Sequence, residues 1–252
     1  MPIPIALITG ASAGLGLDFA RQLAAKGKRL VLVARRRDRL EALCVELGNG
    51  RAVEMDLSEA DAVDRLMTDL SAHDEQVELL VNNAGFGLAD SFARLDGKRQ
   101  LQMIDLNCGA LTALAHAVLP GMIERKSGAI LNVASTAAFQ PGPGMAVYFA
   151  TKAYVLSFSE ALHEEVKRHG IVVSALCPGP TATEFGEVAG VGPSNLLSKF
   201  SADSRSVVQA GLAGLDRGRA VIIPGLMNKS TAQAHRLFPR SWVRKVAAKL
   251  KL

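Results

Sequence analysis

Cysteine is scarce in this sequence. The three present, Cys44, Cys108 and Cys177, are odd in number and far apart, which argues against a disulfide framework and against a cysteine-based zinc site. Aromatic residues make up only 5% of the chain, with one Trp and two Tyr, so its core must be assembled chiefly from Ala, Leu and Val. No run of about 18 apolar residues goes uninterrupted, and the opening Met1-Pro-Ile-Pro-Ile5 lacks the basic segment that starts a secretory leader. The five histidines show no metal-ligand spacing, so no metal is expected. Together these absences predict a reducing compartment, and a cytoplasmic protein.

What is present is the balance of a globular chain: 49% hydrophobic and 21% charged residues over 252 positions, which excludes disorder and a charge-rich coiled coil. The net charge of +5 is concentrated at one end. Residues 235–252 hold Arg236, Arg240, Arg244, Lys245, Lys249 and Lys251 and no acid; subtracting those six charges leaves −1 for the rest. The basic character therefore belongs to a tail, and no nucleic-acid partner is expected. Trp242, Val243, Val246 and Leu250 recur there at helical spacing beside Arg244, Lys245 and Lys249. An amphipathic helix of this kind could make peripheral membrane contact with anionic lipid, or pack on its own domain or a second subunit.

Short β-branched or Leu-rich runs alternate with longer stretches of helical period, the pattern of βαβ units around a parallel sheet. Strands are predicted at 5–9, 29–34, 51–55, 79–83, 129–135, 172–177 and 220–223, and helices at 15–25, 39–47, 59–72, 97–125, 147–169 and 204–216. Asp38 with Glu41, and Ser58 with Asp61, read as capping boxes, while Gly27 and Gly170 fall where helices should end in a left-handed residue. No linker interrupts the alternation. We therefore expect a single doubly wound α/β domain of Rossmann type over residues 1–230, with a seven-stranded parallel sheet, followed by the basic tail at 231–252. Two stretches break the rhythm, 136–145 and the Gly/Pro-punctuated 179–200, and long loops in compact domains are often functional.

The first predicted strand runs into Thr9-Gly10-Ala-Ser12-Ala13-Gly14-Leu15-Gly16 and then a helix. Gly10 suits a tight turn, Gly14 admits close approach of a pyrophosphate, and Gly16 allows close helix-strand packing, with the helix N-terminus facing the anion. No Lys-Ser or Lys-Thr follows, which excludes a Walker-type triphosphatase. About 20 residues on, the second strand ends at Ala34-Arg35-Arg36-Arg37. An acid at this point suits the free 2′-hydroxyl of NAD, whereas Arg35 and Arg36 suit a 2′-phosphate, so NADP(H) is the expected cofactor. Arg37 and Arg39 read as a solvated helix start.

With Asp56, Asn82-Asn83-Ala84-Gly85, Asn107, Ser135, Tyr148-x-x-x-Lys152 and Pro178-Gly179-Pro-Thr181 added to that turn, the chain resembles the short-chain dehydrogenase/reductase family over nearly all of residues 5–225. Tyr148 and Lys152 lie four apart, on one face of a helix. An isolated phenol with a pKa of ~10 is a poor base at neutral pH, and a neighbouring ammonium should favour phenolate. The resemblance implies Tyr148 as general acid/base, Ser135 as holder of the substrate oxygen, Lys152 on the nicotinamide ribose, and Asn107 in a water-mediated proton relay through Lys152. It also implies cofactor contacts from Asp56 and Leu57 at the adenine, from Asn83, Ala84 and Gly85, and from Pro178, Gly179 and Thr181, with Thr183 also in reach. Asn82 is expected to satisfy sheet backbone. Ala13 stands where NADP-using relatives often carry Arg, which leaves phosphate recognition to Arg35 and Arg36.

The expected activity is interconversion of a small-molecule carbonyl and a secondary alcohol. Two alternatives stay open: a 3-oxoacyl-thioester reductase, and a non-catalytic NADP-binding sensor or scaffold. The resemblance further implies a homodimer or homotetramer formed through the helices at 97–125 and 147–169. Phe139, Met145, Phe185, Val188 and Leu196 could wall an apolar substrate pocket or pack the 179–200 loop on itself.

Overall fold

A computed structural model describes residues 2–190, 201–234 and 238–249 of the chain. Seven strands form one parallel sheet: β1 (Ile3–Thr9), β2 (Leu30–Ala34), β3 (Gly50–Glu54), β4 (Glu75–Asn82), β5 (Gly128–Val133), β6 (Ile171–Leu176) and β7 (Val221–Ile222), in the spatial order β3-β2-β1-β4-β5-β6-β7. The strands are near-continuous apolar runs because helices cover both faces of the sheet. Alternation along each strand divides the core in two. Ile5, Leu7, Val31 and Val33 face α3 (Ala62–Ala72) and α5 (Leu111–Arg125), where Leu66, Leu70, Leu114 and Val118 meet them. Ala6, Ile8, Leu30 and Leu32 face α1 (Gly14–Ala25), α2 (Arg37–Leu47) and α8 (Ser204–Asp216), against Phe19, Leu40 and Leu212.

All seven predicted strands and all six predicted helices are present, with shifted ends. β1 and β4 start earlier than expected because Ile3 and Pro4 pair with Glu75 and Gln76. Residues 3–5 pair with β4 alone, so Pro4 lies on an edge, where a missing N–H is tolerated. A one-residue irregularity skips Glu78, which Lys28 Nζ meets at 2.8 Å; the bulge resets which β4 residues face which core. Both capping boxes are incorrect. α2 begins at Arg37 and α3 at Ala62, neither with a side-chain cap, and the Ser58 amide and hydroxyl instead donate to Asp56. Gly27 (φ +77°) and Gly170 (φ +75°) do end helical segments in the left-handed region.

The helix expected at 97–125 is composite: α4 (Gly97–Ile104), a π-helical turn at Asp105–Ala110 that carries Asn107, and α5. By length and composition Gly97–Arg125 could cross a membrane, but here Met103, Leu111, Leu114 and Met122 are buried in the core. The next long helix, α6 (Ala146–Val166), follows a 3₁₀ turn at Thr136–Phe139. Two further helices were not anticipated, α7 (Phe185–Ala189) inside the expected loop and α9 (Leu226–Ala234), while α10 (Arg240–Lys249) is the helix expected in the tail. Residue 230, the expected domain boundary, lies within α9. Residues 191–200, including Leu196, and the tail residues His235, Arg236, Leu250 and Lys251 are outside the described residues.

Candidate active site

Doubly wound sheets bind ligands beyond the carboxyl ends of the strands, where the strand order reverses, here between β1 and β4. Gly10 (φ +66°) and Gly14 (φ +54°) turn the chain from β1 into α1. A Cβ on Gly16 would lie 2.2 Å from the Gly10 carbonyl oxygen and 2.7 Å from Asn83 Nδ2, so only glycine lets the helix start this close to the strand. The first turn of α1 has no side-chain cap and no acid, which leaves its N–H groups for an anionic ligand. Thr9 Oγ1 accepts from the Asn83 and Ala84 amides, both at 3.0 Å, and Asn83 Nδ2 donates to the Thr9 and Gly10 carbonyls. These bonds strap the β4 turn to the glycine turn. The cradle fits a pyrophosphate.

Arginines border it. Arg36 donates through Nε and Nη2 to Ser12 Oγ at 3.2 and 3.1 Å, and through Nη1 to Glu184 Oε2 at 2.9 Å. Arg39, exposed in the first turn of α2 as expected, reaches the other oxygen of the same carboxylate at 2.6 Å. Arg35 instead lies 3.7 Å from Asp56. Burial opposes ionisation of Asp56, but its bonds from Ser58 and the Arg35 charge outweigh that and hold it below the usual carboxylate range. Leu57 packs its side chain into the core.

On the other side of the switch point, Ser135 follows β5 in extended backbone; its Oγ accepts from the Ala137 amide at 3.1 Å and faces the Pro178 carbonyl at 3.5 Å. Tyr148 and Lys152, one turn apart on α6, are both buried, and the Ser135 side chain is near enough to Tyr148 to favour its ionised form. Lys152 Nζ donates to the Val133 carbonyl at 2.8 Å and lies 5.8 Å from the Tyr148 ring centroid. Gly85 separates Asn107 from Lys152: a Cβ there would meet Asn107 Oδ1 at 2.8 Å and Lys152 Nζ at 3.7 Å. The structure thus brings together the glycine turn, the Asn83–Gly85 turn, Ser135, Tyr148 and Lys152.

The comparisons with known proteins decide the family. Residues 4–190 match the family described as short chain dehydrogenase. The chain belongs to that family. An NADP-dependent 3-hydroxy acid dehydrogenase, YdfG, of Salmonella typhi is 38% identical over 187 residues, 73% of this chain and 75% of that protein. The "Inactive hydroxysteroid dehydrogenase-like protein 1" of Homo sapiens is 33% identical over 202 residues, 78% of this chain; the chain spans 60% of that relative's length. Among solved structures, a short-chain dehydrogenase from Sphingobium yanoikuyae in complex with NADPH has a TM-score of 0.85 at 36% identity, covering 93% of this chain and 92% of that one.

Other residues of this short-chain dehydrogenase expected at the site are held by hydrogen bonds within the chain. Asn107 Oδ1 accepts from the Phe86 amide at 3.1 Å, and its Nδ2 donates to the Phe86 carbonyl at 3.0 Å and to Thr151 Oγ1 at 3.1 Å. Its side chain thus joins the Phe86 loop to α6. Asn82 Nδ2 bonds Asn132 Oδ1 and the Leu111 carbonyl, tying β4 to β5 and α5 rather than satisfying sheet backbone. Thr181 Oγ1 donates to the Gly179 carbonyl within its own loop. Met145 and Phe185 do cluster with Tyr148, while Phe139 packs in a separate core group and Val188 is exposed. Glu184 and Arg39 were missed; an acid directly after Thr183 in a Gly/Pro-rich loop carries no sequence signal of its own.

Lys152 was expected to push Tyr148 towards phenolate. In this structure burial is the larger influence and pushes the phenol up to about 12, with Ser135 working against it. Burial likewise lowers Lys152 to about 8. The ammonium is turned to the Val133 carbonyl rather than to the phenol oxygen. A protonated phenol beside a serine hydroxyl is the form a proton donor requires.

Proposed function

We propose that the chain is an NADP(H)-dependent oxidoreductase that interconverts a small-molecule carbonyl and a secondary alcohol. The observation that carries this reading is the placement of the buried Tyr148 beside the half-buried Ser135, across the strand-order reversal from a glycine cradle bordered by Arg36 and Ser12. The bound nicotinamide would supply or accept the hydride. Gly10, Gly14 and Gly16 would admit the pyrophosphate, Arg36 and Ser12 the 2′-phosphate, and Lys152 the nicotinamide ribose. Ser135 would orient the substrate oxygen, and Tyr148 would give it a proton in reduction and take one in oxidation, a role worth on the order of 10²- to 10⁴-fold in rate. The intact Asn107, Ser135, Tyr148 and Lys152 favour this over a non-catalytic binding module, even beside a relative named inactive. Following NADPH consumption against ketones, aldehydes and 3-oxoacyl thioesters tests it: turnover of a free ketone or aldehyde supports the reading, thioester turnover alone supports the reductase alternative, and no turnover of any class contradicts both.

Two further parts of the reading concern assembly and location. Exposed Leu101 and Ile104 on α4 and Tyr154 on α6, its ring stacked on Phe158 and its hydroxyl 2.8 Å from Thr112, favour a homodimer or homotetramer through these helices. We place the protein in the cytoplasm, with peripheral membrane contact through α10, on which Trp242 and Val246 are exposed beside Arg244 and Lys245.

A further inference from the structure

Three consecutive side chains in the segment after β6 reach three different parts of the site. Thr183 lies over the phosphate turn, its Cβ and methyl 3.1 Å from where a Gly14 Cβ would be. Glu184 bridges Arg36 and Arg39, one carboxylate oxygen to each, at 2.9 and 2.6 Å. Phe185 stands against the catalytic tyrosine, with ring centroids 5.2 Å apart. The segment is held further on by the Ala89 amide, which donates to the Ala189 carbonyl at 2.8 Å. Arg36 is therefore shared between a neutral acceptor on the phosphate turn, Ser12, and an anion from a loop next to the substrate position.

We propose that Glu184 is an internal stand-in for the cofactor's 2′-phosphate. Its carboxylate occupies the arginine seat in the ligand-free chain, and a 2′-phosphate takes that seat by displacing it. An arginine pair bridged by one carboxylate has the donor geometry that a phosphate monoester also uses. Exchange of one anion for the other frees Glu184, and with it the neighbours that lie over Gly14 and against Tyr148. Recognition of the 2′-phosphate is thereby coupled to release of the segment that carries Thr183 and Phe185, whereas a cofactor without that phosphate binds with the Glu184 bridge in place. Glu184 also lowers the preference for NADPH over NADH, because only the phosphorylated cofactor must compete with it. The proposal rests on the NADP reading above and deepens it.

The test uses the full chain and the variant Glu184→Gln, titrated calorimetrically with adenosine 2′,5′-bisphosphate, 5′-AMP, NADPH and NADH, together with backbone hydrogen exchange over residues 181–190. The ion pairs are half-exposed, so their removal should tighten 2′,5′-bisphosphate and NADPH binding about threefold to tenfold and leave 5′-AMP and NADH within about twofold. In the wild-type chain 2′,5′-bisphosphate should accelerate exchange at residues 185–190 while 5′-AMP does not, and Glu184→Gln should exchange fast without ligand. If the wild-type chain prefers the 2′-phosphorylated ligands but Glu184→Gln leaves their affinity unchanged, weakens it, or shifts NADPH and NADH together, the stand-in role is wrong and the NADP reading survives. If the wild-type chain binds 2′,5′-bisphosphate no better than 5′-AMP, the NADP reading fails and this proposal fails with it.

Discussion

Replacing Gly16 with Ala tests the geometry on which cofactor binding depends. The added methyl would lie 2.2 Å from the Gly10 carbonyl oxygen, 2.7 Å from Asn83 Nδ2 and 2.8 Å from the Gly10 carbonyl carbon. Ordinary contact begins near 3.4 Å, so α1 or the turn must retreat by roughly 1 Å, and two of the three obstructing atoms are backbone. Overpacking of this kind costs about 1–3 kcal/mol, and a domain of this size loses about 2–4 °C in Tm per kcal/mol. The expected fall is therefore about 2–12 °C by differential scanning fluorimetry. Because the pyrophosphate cradle itself moves, NADPH and NADH affinity should fall together, by at least tenfold in calorimetric titration. A variant with unchanged Tm and unchanged affinity for both cofactors would refute the claim that this glycine fixes the helix against the turn.

Arg36→Ala should behave oppositely in selectivity: loss of a charge-assisted contact worth about 1.5–3 kcal/mol raises the NADPH dissociation constant at least tenfold and leaves NADH within about twofold, whereas Arg35→Ala, aimed at Asp56, should act on both. Lys152 is held at about 8 against 10.5 when exposed, so the folded chain sheds this proton first and its cost is relieved as pH rises from about 8 to 10. The stability of the ligand-free wild type relative to Lys152→Met should grow over that range in denaturant titrations, and a flat or falling difference would contradict the buried ammonium. Deleting residues 235–252 should abolish binding to anionic vesicles without loss of turnover, while equal vesicle binding by the two forms would remove the membrane role from the tail.

The sheet was legible because parallel strands covered on both faces read as short apolar runs, such as Leu30–Ala34, whatever their partners. The ends were less legible where pairing is polar: Glu75 and Gln76 extend β4 although nothing in their character marks a strand. Capping misled for a similar reason, since Ser58 finds a local acceptor in Asp56 and is drawn into a turn instead of starting a helix. Tyr148, Lys152 and Ser135 could be found because their spacing and strand-end position carry the chemistry. Glu184 could not, because its function depends on a meeting with Arg36 across 148 residues that only the fold brings about. The bonds of the Asn107 side chain were hidden likewise, its partners being the Phe86 backbone and Thr151 on another helix.

The proton-transfer claim is tested most directly by single-turnover oxidation of bound NADPH in the Tyr148→Phe variant, with a ketone that the wild-type chain reduces. Phenylalanine fills the same buried space but has no hydroxyl to give, so calorimetry should find NADPH bound with near-wild-type affinity while the transient loses at least 10²-fold in rate. A variant that binds NADPH and reduces the ketone at close to the wild-type rate would contradict the assignment of Tyr148 as the proton donor.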